Sequence, residues 1–119
     1  MQPQRQPGNA LTKAYDLAVW IIRRVERMPR LHRYHLGLGL QEMALELVDR
    51  LIVAEYTKDR TPLLREINLH LEQMRYRVRL CKDVGLLKLP QYESCARQID
   101  AVGMSVGAWG KKHGGREEG

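Results

Sequence analysis

Apolar residues recur at steps of three and four along four successive stretches of the chain. The first stretch holds Leu11, Ala14, Ala18, Ile21, Val25 and Met28, and the second Leu40, Ala44, Leu47, Leu51 and Ala54. The third holds Leu64, Ile67, Leu71, Met74, Val78 and Cys81, and the fourth Tyr92, Cys95, Ile99, Val102, Val106 and Trp109. An α-helix turns once every 3.6 residues, so each series forms a seam along one helix face. Four such helices bury their seams against one another. No strand pattern is visible. The expected fold is therefore all-α, an antiparallel up-down-up-down four-helix bundle.

Turn and capping residues set the expected boundaries. Asn9 is placed to cap the first helix, which runs to about Met28 and meets Pro29. The second helix begins within the basic stretch 30–35 and runs to about Lys58. Gly37 and Gly39 leave its start open, since each glycine costs a helix ~1 kcal/mol relative to alanine. Thr61 suits an N-cap and Pro62 the first helical position, and the third helix ends near Val84, before Gly85. Pro90 opens the fourth helix, which ends near Lys112. Residues 10–112 thus form one bundle domain, between a disordered arm at 1–9 and a flexible tail at 113–119.

The first two helices carry more apolar surface than a single bundle requires. Leu17 and Trp20 lie beside the first seam, with Val19 and Ile22 also off it. The second helix has an additional stripe of Tyr34, Leu38, Leu45, Val48 and Ile52. A helix apolar on most sides is buried on most sides. Leu17, Trp20, Tyr34, Leu38, Leu45, Val48 and Ile52 are accordingly expected to form the subunit interface of a homo-oligomer. The competing reading is a wide core-facing stripe filled by large residues.

Charge narrows the partners. Twenty Lys and Arg stand against 14 Asp and Glu, a net charge of +6. That balance favours RNA, DNA, an acidic protein or an anionic membrane without choosing among them. On the third helix Arg75, Arg79 and Lys82 recur on one face, with Arg65 a few turns earlier and no acid between Met74 and Lys82. The first helix and its exit offer Arg23, Arg24, Arg27 and Arg30, with only Glu26 nearby. Neighbouring like charges repel, and guanidinium forks match phosphate geometry. These eight residues are the candidate nucleic-acid-binding set. The competing reading for each is a solvated face with salt bridges to adjacent helices.

Chemistry beyond binding finds no support. His32 and His35 sit three apart but lack a Cys, Asp or Glu close by to complete a metal site, and His70 stands alone. Neither cysteine belongs to a CxxC pair, and no Glu-x-x-His pair suggests a di-iron bundle. Ser94 and Ser105 fall within a helix with no motif to expose them, and no P-loop or Rossmann glycine pattern occurs. No catalytic residue, metal or cofactor is expected. Cys81 and Cys95 fall on apolar seams, as reduced core residues of a cytoplasmic protein would. The longest apolar runs fall far short of the ~20 residues of a membrane span, and no membrane partner is expected. Gly103, Gly107 and Gly110, beside the fourth seam, read as sites that admit a close helix or a large side chain such as Trp20 or Trp109.

Three stretches together resemble a known family. They are Met28-Pro29 through Tyr34, Leu38 and Gln41; Leu71-x2-Met74-Arg75-Tyr76-x2-Arg79-Leu80; and Val102-Gly103-x3-Gly107-x-Trp109. The pattern, over roughly residues 10–112, is similar to the four-helix-bundle family of accessory variability determinant (Avd) proteins of diversity-generating retroelements. Related bundle proteins are encoded in intervening sequences of large-subunit ribosomal RNA genes. The resemblance implies a non-enzymatic, barrel-like homopentamer. It implies as partners a reverse transcriptase and its template RNA, during error-prone copying of a template repeat. Arg75 and Arg79 are the basic positions that carry over. The rival functions are a protein-interaction scaffold indifferent to nucleic acid and a ribosome-associated helical bundle.

Overall fold

The fold, seen in a computed structural model, is described for residues 8–118, with side chains described as far as Lys111. Helix α1 covers Asn9–Glu26 and α2 is the single turn Arg30–His32. A π-helical turn, Arg33–Gly37, links α2 directly to α3 (Leu38–Glu55). Then come α4 (Thr61–Asp83) and α5 (Leu89–Glu118), and there is no strand among the described residues. Helix α1 packs against α3 and α5, and α4 packs against the same two. The molecule is thus a helical bundle whose four long helices enclose one core.

The four seams form that core. Every seam residue is buried except Leu11, Tyr92 and Trp109, which are half-buried and packed against the rest. Leu17, expected at a subunit interface, has no exposed surface and joins the core beside Ala10 and Ile21. It has nothing to offer a neighbouring subunit. The reason lies in the width of the seam. Residues 14, 17, 18 and 21 all fall within one broad arc of the helix, and α3 and α5 together cover that arc.

Several ends differ from the expected ones. Gly8, rather than Asn9, is the N-cap of α1, and no side chain caps that helix locally. A distant carboxylate takes the part: the Gly8 N–H donates to Glu55 Oε1 at 2.7 Å, placing negative charge at the helix N-terminus, where the dipole favours it. A Cβ on residue 8 would come within 2.6 Å of that oxygen. Arg60 is the N-cap of α4, and Thr61 already belongs to the helix. The α4 end follows expectation. Gly85 adopts φ 86°, and the Leu86 N–H reaches back to the Cys81 carbonyl at 2.8 Å, a Schellman closure. At the start of α5, Gln91 Oε1 accepts the Lys88 N–H at 2.9 Å, half of a capping box. Helix α5 continues into the segment 113–119 expected as a tail. The arm expected at 1–9 lies outside the described residues except for Gly8 and Asn9.

The start of the second long helix, left open by Gly37 and Gly39, is continuous helix carried through the π turn. Both glycines serve packing. A Cβ on residue 37 would meet Met28 Sδ and Val25 at 3.0 Å, and one on residue 39 would meet Arg77 Nη1 at 3.0 Å. Arg33 secures the connection, its Nη2 donating to the Glu26 carbonyl at 3.0 Å and the Met28 carbonyl at 3.1 Å.

Candidate nucleic-acid interface

The eight cationic candidates fall into two environments. Arg23, in the last turn of α1, Arg27, its C-cap, and Arg30, opening α2, are exposed and form no ion pair among the described residues. Arg24 is half-buried, its guanidinium 5.3 Å above the Trp20 ring, a cation–π contact that ties it to the helix surface. Glu26 is the one acid in this segment. Leu31, Tyr34 and His35 are exposed beside these arginines. This α1–α2 corner is a compact cationic surface whose charge the protein itself leaves largely unmatched.

The α4 row is matched instead. Arg75 Nε donates to Asp100 Oδ1 and its Nη1 to Glu72 Oε2, both at 3.0 Å. Arg79 Nε lies 3.8 Å from Asp83, and Lys82 Nζ 3.2 Å from the same carboxylate. Lys82 also sits 4.8 Å over the Tyr92 ring. The row is therefore an ion-pair network that joins α4 to α5 through Arg75 and Asp100. Arg65 is exposed near the start of α4, some ~15 Å along the axis from Arg75 at 1.5 Å per residue, and stands apart from both groups. Gly103 belongs with Arg75 rather than with a tryptophan: a Cβ there would lie 3.1 Å from Arg75 Nη2.

The apolar candidates also divide. Leu45 and Ile52 are exposed, and Val48 and Leu38 are half-buried. Val48 and Ile52 line, with Leu11, Thr12 and Tyr15, an almost wholly apolar groove of about 390 Å³ between α1 and α3. Tyr34 is exposed at the π turn above α3. Trp20 lies on the opposite flank of α1. Lys13, two turns earlier on the same face, donates to Ser105 Oγ of α5 at 2.9 Å. Sequence reasoning missed a further apolar stripe on the outward face of α4, made of exposed Leu69, Tyr76, Leu80 and Val84. Their spacing of 7, 4 and 4 residues would have revealed it.

The remaining polar groups are structural. His70 is buried, and its Nε2 donates to the Met43 carbonyl of α3 at 2.7 Å, with Glu46 4.0 Å from Nδ1. Among the described residues no group of three or more His, Cys, Asp or Glu could hold a metal. No helix of the described residues is long and apolar enough to cross a membrane. Cys81 and Cys95 are free and buried. Burial raises both thiols, and Cys95 is pushed up to about 12 by burial and by the neighbouring Cys81.

A family model described as bAvd-like matches residues 10–113, nearly the whole described bundle. The chain belongs to the bAvd-like family. This is the family that the Met28–Tyr34, Leu71–Leu80 and Val102–Trp109 stretches resemble. No curated protein matches the chain. Within this family member, the Arg75 and Gly103 positions that carried the resemblance form one structural unit, a guanidinium seated over a glycine and bonded across two helices.

Proposed function

We propose that this bAvd-like chain is a non-enzymatic accessory protein of a retroelement reverse transcriptase. On this reading it works in the cytoplasm, assembles as a ring-like homopentamer, and binds template RNA, and DNA by the same phosphate chemistry. The observation that carries the proposal is the α1–α2 corner, where Arg23, Arg27 and Arg30 are exposed with no ion pair among the described residues. Phosphates would relieve their mutual repulsion, and such contacts position a nucleic acid without reading its sequence. Family membership supports the accessory role.

An antiparallel up-down-up-down path is supported by the order of cross-helix contacts. Gly8, before α1, meets Glu55 at the end of α3, whereas Val25 near the end of α1 meets Gly37 just before α3. Likewise Arg60, before α4, stacks on Trp109 late in α5, while Lys82 near the end of α4 covers Tyr92 early in α5. Ring assembly is supported by apolar surface on two sides of each chain, the α1/α3 groove and, on α4, Leu69, Leu80 and Val84, with Tyr76 at the edge of that stripe left open to the α4–α5 cleft. A ring larger than a dimer joins two different faces of successive subunits. Five chains at +6 would carry +30, a strong field for RNA.

The test is RNA affinity across a salt series, with solution mass measured on the same sample. Wild type should bind as an oligomer with a steep salt slope. Replacing Arg23, Arg27 and Arg30 by Gln should lower that slope by about 2, at ~0.7 per phosphate contact on a single strand. An unchanged slope would overturn the corner as the phosphate site, and a monomeric mass would overturn the ring. The α4 stripe favours one second reading, a scaffold for a protein partner. That scaffold would bind its partner with little salt dependence and would ignore RNA.

A further inference from the structure

The cleft between α4 and α5 is built for something other than phosphate. Its cavity, about 220 Å³, is lined by Glu72, Arg75, Tyr76, Arg79 and Tyr92. Arg75, Arg79 and Lys82 there face the carboxylates of Glu72, Asp83 and Asp100. The local charge is close to balanced, so an incoming phosphate gains far less here than at the α1–α2 corner.

What the cleft does offer is flat surface. The Tyr76 side chain is 64% exposed. The Arg75 guanidinium is held by carboxylates at Nε and Nη1, while Gly103 leaves room for Nη2. Tyr92 forms another wall, with the Lys82 ammonium fixed over its ring. Unpaired bases stack on tyrosine rings and on guanidinium planes, and every base has a face with which to do so. The cleft also lies toward the same end of the bundle as the cationic corner. Gly39, just after the π turn, lies against Arg77 of α4, and Gly37, within it, packs on Val25 and Met28.

We propose that this cleft receives an unpaired nucleobase of a single-stranded nucleic acid. Tyr76 provides the stacking face and Arg75 a preset planar wall. The proposal rests on the nucleic-acid reading above and divides its labour: the corner holds the backbone, and the cleft distinguishes a strand with free bases from one without. It accounts for an exposed tyrosine beside an arginine whose charge is already matched.

The experiment compares two fluorescent single strands of equal length, one carrying bases and one abasic throughout, by anisotropy titration. The full chain, Y76F and Y76L are measured against both. Wild type and Y76F should bind the base-bearing strand about tenfold more tightly than the abasic one, within the range for one stacked base. Y76L should lose that preference while keeping its affinity for the abasic strand and its salt slope. Equal wild-type affinity for the two strands, or a Y76L protein that keeps the full preference, would overturn the base cleft and leave phosphate binding standing. Failure of wild type to bind either strand would overturn both readings.

Discussion

Replacing Leu17 by Ala separates two uses of α1, as part of the bundle's own core or as part of a contact between subunits. Leu17 has no exposed surface and belongs to the core cluster with Ile21, Leu47 and Leu51. The substitution removes three carbon atoms, ~2.4 kcal/mol of transfer free energy at ~0.8 kcal/mol per methylene. The unfilled cavity adds to this, and buried Leu→Ala changes span about 2.7–5.0 kcal/mol. A loss of ~3–4 kcal/mol, with a urea dependence of ~2 kcal/mol per molar, lowers the unfolding midpoint by ~1.5–2 M. Urea denaturation followed by helical circular dichroism measures the shift. Because the lost contacts lie within one chain, the shift should be the same at high and low protein concentration. Leu45→Ala supplies the contrast, since this side chain is 44% exposed. Within one bundle it should cost ~1 kcal/mol or less, and any larger effect should appear as a concentration-dependent midpoint with a reduced mass. The reasoning would be refuted by an L17A protein that keeps its midpoint but dissociates.

Three further outcomes follow. Gly85→Ala should destabilise the bundle by ~1–2 kcal/mol, although nothing lies within 4 Å of the added carbon, because φ 86° is unfavourable for an L side chain. An unchanged melting temperature would show that the Schellman turn relaxes without cost. Gly103→Ala should gain most of the ~1 kcal/mol that alanine brings to a helix only when Arg75 is also Ala, since the added Cβ would otherwise crowd Nη2 at 3.1 Å. A double-mutant cycle showing no coupling would contradict this. Cys95 holds its proton in the folded state up to about 12, against an ordinary value of 9.0, so its contribution is fully present below pH ~9 and is lost as pH rises toward 12. The expected decline is ~1.4 kcal/mol per pH unit, and Cys95→Ala should remove that part of the slope in urea unfolding at alkaline pH.

The seams were legible because helical burial is periodic, and period alone identified nearly every core residue from Ala14 to Val106. The broad outline of the helices followed from Pro62, Gly85 and Pro90 for the same local reasons. What escaped depends on partners distant in sequence. Glu55 caps α1 from 47 residues away, so inspection of Asn9 could not reveal it. The acids at Glu72 and Asp83 lie just outside the stretch that looked free of acid, at helical spacings of three and four from Arg75 and Arg79, and were readable. Asp100 was not, because it meets Arg75 only once α4 and α5 pair. Gly37 and Gly39 looked like helix breakers, yet the close approach of Met28, Val25 and Arg77 gives each a packing reason. The exposed Tyr76 was visible in the motif, but its setting depends on the cleft formed with α5.

The π turn connects fold and surface. A π turn accommodates one more residue than an α-helical turn, and one residue of phase rotates all that follows by ~100°. The apolar face of α3, from Leu40 to Ala54, is therefore not a simple continuation of any face of α2. Arg30 and Leu31 stay exposed, while Leu40, a few residues on, is wholly buried. Arg33 holds the transition by binding the carbonyls of Glu26, which ends α1, and of Met28 in the turn after it, and Gly37 allows the π turn to press against Val25 and Met28. The chain thereby leaves α1 with its arginines facing outward, turns through residues 27–29, and re-enters the bundle with its leucines facing inward. Arg23 lies in the last turn of α1 and Arg30 opens α2, so the three-residue turn between the two helices sets their spacing. Pro29 and the Arg33 hydrogen bonds to the Glu26 and Met28 carbonyls restrain that turn, and cations at restrained spacing lose less conformational freedom when they engage successive phosphates.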